Sequence, residues 1–414
     1  MLKIALISES PSVATGFGVN CRHLVQLLAS LQHEVVCFGV CALGQPLDPA
    51  QYSCRIVPMP RDQRDALELL PAFLHDEQPD LLFVHYDLAA VSRFIVAARA
   101  AGWHGPIITH FVIDGIPFGE EYLAVLHTVA ASITPTHSAA KYVQSCGIAH
   151  VLVAPHPVDP AVFQPLPHRA LLRRGAGLDD RFVVGVFGRN VERKQQPRVM
   201  LALQSLKQCG RADEIVLYFH CQPNGEDPWL NSWDLRQVAR QLDITDQVLL
   251  LDPAFSQLAG IPYAAHATYT SETRSAQRTP AIPTAYGYVE RMNCCDLIVN
   301  VPYSGAFELV ALESQLCGVP VAITNDHGAM AEVVGDSALL LEPIDIGIQS
   351  SGGRQAFVSH HTIAEAILTV QHDAELRTTL IARGQSNAAR YTLESLRDAV
   401  AQSLAMAALT PVAR

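Results

Sequence analysis

The chain has 414 residues, 49% of them hydrophobic and 17% charged, and its 40 acidic against 29 Lys and Arg residues leave a formal net charge of -11. That length exceeds one core and predicts two domains of about 150 to 200 residues, while the apolar content excludes long disordered tails. The acidic balance excludes a broad electrostatic face for nucleic acid or anionic lipid, so a polyanion needs a local basic cleft.

No apolar run reaches the roughly 18 to 20 residues that span a bilayer. The opening MLKIALISES runs straight into strand pattern, without the basic start and cleavage site of a signal peptide, so a cytoplasmic protein is expected. The cysteines at 21, 37, 41, 54, 146, 209, 221, 294, 295 and 317 have no metal-ligand spacing and read as reduced core thiols.

Short apolar runs alternate with segments of helical period, which predicts parallel sheets covered by helices. In chain order the first runs are KIALIS, HEVVCFG, CRIVPM, DLLFVHYD, PIITHFVID, ASITPT and HVLVAPH. Leu24, Leu27, Leu28 and Leu31 give the stretch from Asn20 one apolar helix face, and Leu88–Ala101 and Glu120–Ala130 read the same way. The first domain is placed at 1–160. Pro, Gly and charge then concentrate over 161–180, which reads as a linker. FVVGVFG, EIVLYFH, QVLLLDP, DLIVNVP, VPVAITN and SALLLEP define a second domain over 181–392. Ser256–Pro283 and Ile344–His361 are expected to be loops or lids, and 393–410 a terminal helix. The expected fold is α/β, two doubly wound Rossmann-like domains facing across a cleft.

Ligands of such sheets bind beyond the carboxyl ends of the strands. The first such loop, SESPSVATGFGVN, sets Gly16 and Gly18 before a helix; it reads either as an anion-binding turn or as a plain strand-to-helix connection, because the full GxGxxG is absent. In GRNVERKQ, Arg189 and Lys194 stand beside a helix N-terminus, where cations oppose the dipole but suit a diphosphate; solvated surface charge is the alternative. Gly305 and Ala306 open a helix near Phe307, and Glu313 two turns in reads either as an acceptor for ribose hydroxyls or as a solvated helix glutamate. His110 within PIITHFVID and Asp114 at its end are catalytic candidates, with a core histidine and an Asp-Gly turn as competing roles.

GRNVERKQ resembles the GR-x-x-x-x-K signature of the family 4 retaining glycosyltransferases, the glycosyl transferases group 1 of GT-B fold. SGAFELVALESQLCGVPVAITNDHGAMAEVVGDSALLLEP resembles their extended Glu-x7-Glu region, and PHPVDPAVF their segment before the linker. The resemblance covers nearly the whole chain. It implies Arg189 and Lys194 on a donor diphosphate; Gly16 and Gly18 of the first loop, read from the residues alone, are the further diphosphate-binding candidates. It further implies Glu313 on the ribose, Gly305, Ala306, Phe307 and Leu309 near the donor sugar and phosphate, and a terminal helix packed back on the first domain. His220 then falls where the nucleobase lies, with Trp229 and Trp233 following it. Asp114 takes the place of the family's loop histidine, with His110 second. One departure stands out: Gly305 occupies the position of the first motif glutamate, and Glu308 that of a glycine. Glu308 is read either as a substitute carboxylate or as an N-terminal helix charge.

The implied activity is metal-independent transfer of a sugar from a UDP- or GDP-linked donor, with retention, to an unidentified acceptor. No cofactor beyond that co-substrate is implied. Lipid, glycan, small molecule, protein and modified nucleic acid all stand as acceptor classes. The rivals are a nucleotide-sugar epimerase on the same fold and a catalytically silent sugar-nucleotide binder.

Overall fold

The computed structural model describes residues 1–44, 47, 51–224, 232–250, 282–283 and 285–409. Trp229 and residues 256–281 of the expected loop at Ser256–Pro283 lie outside them. The chain divides into two compact units: Met1–Pro157 with Ile348–Arg354 and Tyr391–Arg414, and Val158–Gly347 with Gln355–Arg390.

In the first unit every early apolar run becomes a strand: β1 (Lys3–Glu9), β2 (Glu34–Val40), β3 (Arg55–Pro58), β4 (Leu81–Asp87), β5 (Ile107–Val112), β6 (Ala131–Thr134) and β7 (Val151–Val153). They form one parallel sheet in the order β3-β2-β1-β4-β5-β6-β7. Helices cover both faces, which explains near-continuous apolar strands. On one face Val36, Phe38, Tyr86 and Phe111 pack with Leu70, Phe73 and Phe94 of helices Gln63–Glu77 and Leu88–Ala100. On the other, Ile4, Leu6, Phe83 and Ile108 pack with Leu24 and Leu28 of helix Gly16–Ser30 and with Leu396 and Val400 of helix Leu393–Ala408.

The second unit repeats the plan with β8 (Phe182–Phe187), β9 (Ile215–His220), β10 (Val248–Leu250), β11 (Leu297–Asn300), β12 (Val321–Thr324) and β13 (Leu339–Leu341). Their order is β10-β9-β8-β11-β12-β13, again all parallel. Val184, Val186, Leu217 and Phe219 meet Leu203, Ile363 and Ile367 in its core. Both sheets reverse their winding once, between β1 and β4 and between β8 and β11, and such switch points open a crevice at the carboxyl ends of the strands.

The structure differs from the sequence expectation in three places. Within 161–180 a helix forms, Arg169–Gly175, and Arg169 and Arg173 grip the Asp296 carboxylate at 2.7 and 2.9 Å, so this stretch is anchored in the second unit. The helix expected over Glu120–Ala130 is a single turn, Glu120–Leu123, followed by a 3-10 segment, Ala124–Thr128. Gly119 offers no capping side chain, and Val125, His127 and Thr128 are weak helix formers. Over Ile344–His361, β14 (Pro343–Ile348) and β15 (Arg354–Val358) pair as a two-stranded ribbon ahead of helix His360–His372. Alternating Ile344, Ile346 and Ile348 suit a strand, and the SSGG segment makes the turn, with Gly352 at φ 88°. Among the described residues no helix is long and apolar enough to cross a membrane.

Candidate functional site

At the switch point of the second unit two loops meet because β8 and β11 are neighbours. Gly188, at φ 126°, turns the chain out of β8 into Arg189–Gln195; residues 301–308 leave β11. The Tyr303 amide donates to the Arg193 carbonyl (3.0 Å), and Arg193 Nη1 donates to the Ser304 carbonyl (2.8 Å). Between the loops lies the Glu308 carboxylate, its side chain only 4% exposed. It accepts from Lys194 Nζ, from Arg193 Nη1 (3.3 Å) and from Asn300 Nδ2 (2.8 Å). Burial alone would raise the Glu308 pKa, but Lys194 first, then Arg193 and the Asn300 bond, outweigh it and hold it at about 2. Glu308 is therefore a fixed anion.

Glu308 also adopts the left-handed conformation (φ 63°), so helix Leu309–Leu316 begins two residues later than the expected start at Phe307. A Cβ on Gly305 would lie 2.6 Å from Glu308 Oε1 and 2.9 Å from Met330 Sδ. Ala306 and Phe307 are buried, and Leu309 is half-buried. Arg189 is exposed on the same loop, its carbonyl accepting from Gln196 Nε2 (2.7 Å). The structure thus brings Arg189, Lys194 and Gly305–Leu309 into one loop cluster.

Glu313, two turns into this region, is buried and accepts from the Tyr288 hydroxyl at 2.8 Å. That removes the solvated-glutamate alternative. Burial, only partly offset by the Tyr288 bond, pushes its carboxyl up to about 7. The Tyr288 ring stands edge-on to Phe187 (5.4 Å) and His220 (5.0 Å), and His220 stacks on Phe187 at 5.0 Å. Burial pulls His220 down to about 3, so it is neutral and shares a 2.8 Å hydrogen bond with the Tyr218 hydroxyl. Trp233 instead packs against the core of the unit, its amide donating to Asn190 Oδ1. Arg193, Asn300 and Tyr288 were not singled out from the sequence; the second cation of VERK and the polar last residue of β11 were the available signals.

In the first unit two expectations need correction. Gly18 donates its amide to the capping Thr15 hydroxyl (3.0 Å), and a Cβ there would overlap the carbonyl oxygens of Val13 and Ser10. Its glycine is explained by a tight loop and its N–H is already used, which removes it as a phosphate ligand; Gly16 stays exposed at the helix start. His110 is fully buried in β5, stacked on His85 (4.6 Å) and tilted against His156 (5.0 Å). A ring with no access to solvent cannot touch a substrate, so His110 is a core residue. Asp114 is half-buried after β5, its carbonyl accepting from Gln349 Nε2. Nearby, burial pushes the Asp87 carboxyl up against its bond to the Ala90 amide (2.9 Å), and Asp114 adds to the rise.

No family model matches the chain. A D-inositol 3-phosphate glycosyltransferase of Stackebrandtia nassauensis is 26% identical over 342 residues, covering 77% of this chain and 66% of the relative, just under two-thirds of its length. Among solved structures, the sucrose-phosphate synthase of Thermosynechococcus elongatus superposes with a TM-score of 0.71 at 16% identity, over 98% of each chain. Anabaena HepE in complex with UDP and glucose gives 0.68 at 17% identity, over 98% of this chain and 100% of that one. The two parallel, doubly wound sheets therefore make the GT-B fold of glycosyltransferases. In sequence the chain is similar to the D-inositol 3-phosphate glycosyltransferases.

Proposed function

We propose that this chain is a glycosyltransferase that moves a sugar from a UDP- or GDP-linked donor to an acceptor with retention at the anomeric carbon. The observation that carries the reading is the junction of Lys194 and Arg193 with the N-terminus of helix Leu309–Leu316, beside the buried pair of Glu313 and Tyr288. As the bond to the anomeric carbon breaks, the leaving diphosphate gains charge, and preorganised cations and a helix N-terminus stabilise that charge most where water is excluded. Arg189 and Lys194 supply it, so transfer proceeds without a divalent cation and survives EDTA. Ionised Glu313 accepts the ribose hydroxyls, and the half-buried His220 and Tyr288 rings, backed by Phe187, give the base a stacking shelf. Asp114 is the acceptor-side group. The name of the inositol phosphate relative makes a polyol phosphate the first acceptor to try.

A mass-spectrometric screen of sugar nucleotides with the pure protein, with and without acceptors including D-inositol 3-phosphate, tests this. Acceptor-dependent release of UDP or GDP is expected, with NMR of the product giving the donor's anomeric configuration. Binding without release under every acceptor overturns transfer in favour of a silent binder. An isomerised sugar nucleotide formed without acceptor favours an epimerase.

A further inference from the structure

The geometry around Glu308 points to a role that the donor reading alone does not assign: we propose that Glu308 is a positioning residue that presets Lys194 and Arg193 for phosphate, and that Gly305 is its required partner. The inference rests on the donor reading above. Three observations carry it. The carboxylate, itself carried by residues 301–308, is buried and contacts Lys194 and Arg193 of residues 189–195 and Asn300 at the end of β11, and so ties the two loops together. It occupies the space that any side chain at 305 would need, since a Cβ there would come within 2.6 Å of Oε1. Glu308 holds a left-handed backbone that a non-glycine residue adopts at a cost, and such outliers persist where surrounding contacts over-determine them, often at functional sites.

The chemistry follows. Lysine and arginine stems lose rotamer freedom when they clamp an anion, and that loss weakens binding unless it has already been incurred. Glu308 incurs it in the free protein. Lys194 Nζ has three N–H donors and directs one to Glu308. Arg193 likewise gives Nη1 to Glu308 and to the Ser304 carbonyl, which fixes the plane of its guanidinium. Gly305 and Glu308 thus form one device in which the small residue makes room for the anion.

The test is a double-mutant cycle read by calorimetry with inorganic pyrophosphate and with UDP as probes. Glu308→Gln is nearly isosteric and is expected to weaken both probes about tenfold, the effect of releasing two long side chains, and to lower the melting temperature while the fold is kept, because Lys194 and Arg193 lose their buried anionic partner. In a Lys194→Ala background the same change should weaken them at most about threefold, because one of the two preset side chains is already gone. Gly305→Ala, whose Cβ drives the carboxylate away, should reproduce the Glu308→Gln loss. The exchange Gly305→Glu with Glu308→Gly should bind more tightly than Glu308→Gly alone. Equal or tighter pyrophosphate binding by Glu308→Gln overturns the inference, as does an equal loss in both backgrounds. If the wild type binds the probes and Lys194→Ala weakens them while the Glu308 and Gly305 variants do not, the inference falls and the donor reading stands. Failure of the wild type to bind either probe overturns both.

Discussion

At the scale of single residues, the loop cations and Glu313 each set the size of a measurable effect. Removing Arg189 or Lys194 by alanine substitution should lower transfer by about two to three orders of magnitude, the roughly 2 to 4 kcal/mol of barrier that a charge-assisted bond to a leaving group supplies. Steady-state kinetics with the donor found in the screen checks this, and wild-type rates in both variants contradict it. Glu313 sets the second effect. Its carboxyl sits at about 7 in the free protein because burial disfavours the charged form, whereas ribose hydroxyls need an acceptor. Binding UDP below pH 7 should therefore release up to one proton, read by calorimetry in buffers of different ionisation enthalpy, and Glu313→Gln should abolish the release. The same shift has a stability consequence of fixed sign: the folded state holds this proton more tightly than the unfolded, so Glu313 costs stability increasingly as pH rises from about 4.5 to about 7. The positions of Arg189 and Lys194 on the loop after β8 and of Glu313 on the helix after β11 were legible in the sequence from motif spacing, while their donor-binding roles are the proposal made above. Burial of Glu313 and the ion pairing of Glu308 were not legible, because both depend on β8 and β11 being neighbours, a pairing of segments more than a hundred residues apart.

At the scale of elements, the row across β4 and β5 makes the first unit sensitive to acid. His85 pairs in register with His110, and His156 joins them after β7. Burial pulls His85 down to about 4 despite its bond to the His110 carbonyl, and burial with neighbouring histidines lowers His110 and His156 well below the usual range. Each is neutral when folded and free to protonate near 6.5 when unfolded. Their contribution is therefore undiminished above pH 6.5 and is lost as pH falls towards 4, at up to about 1.4 kcal/mol per pH unit for each histidine. Urea unfolding at a series of pH values should show this slope, and His110→Leu should flatten it while raising relative stability at pH 5. A slope unchanged by His110→Leu would contradict the assignment. The sequence placed His110 on a strand but not its depth, since an isolated histidine in an apolar run reads alike as core or as site. The ribbon of β14 and β15 escaped for a different reason: SSGG signals a break, and only pairing between its flanks makes that break a hairpin turn.

At the scale of the whole molecule, the order of apolar runs was enough to read two doubly wound sheets, because covered parallel strands must be apolar and their helices must follow in alternation. The proposed donor site lies where the second unit's sheet reverses, because that reversal carries Arg189, Arg193 and Lys194. Ligand that binds only the folded protein stabilises it by about 2.7 kcal/mol at a hundred times its dissociation constant. UDP or GDP at that level should therefore raise the melting temperature of the wild type, and Lys194→Ala should lose the shift at the same concentration. The central claim is a place as well as an activity, so its most direct measurement is a crystal structure of the protein with UDP or GDP bound. The account predicts the diphosphate against Arg189, Lys194 and the start of helix Leu309–Leu316, with the ribose on Glu313. A nucleotide seated instead on the Ser10–Gly18 loop of the first unit, with Lys194 and Glu313 untouched, would contradict it.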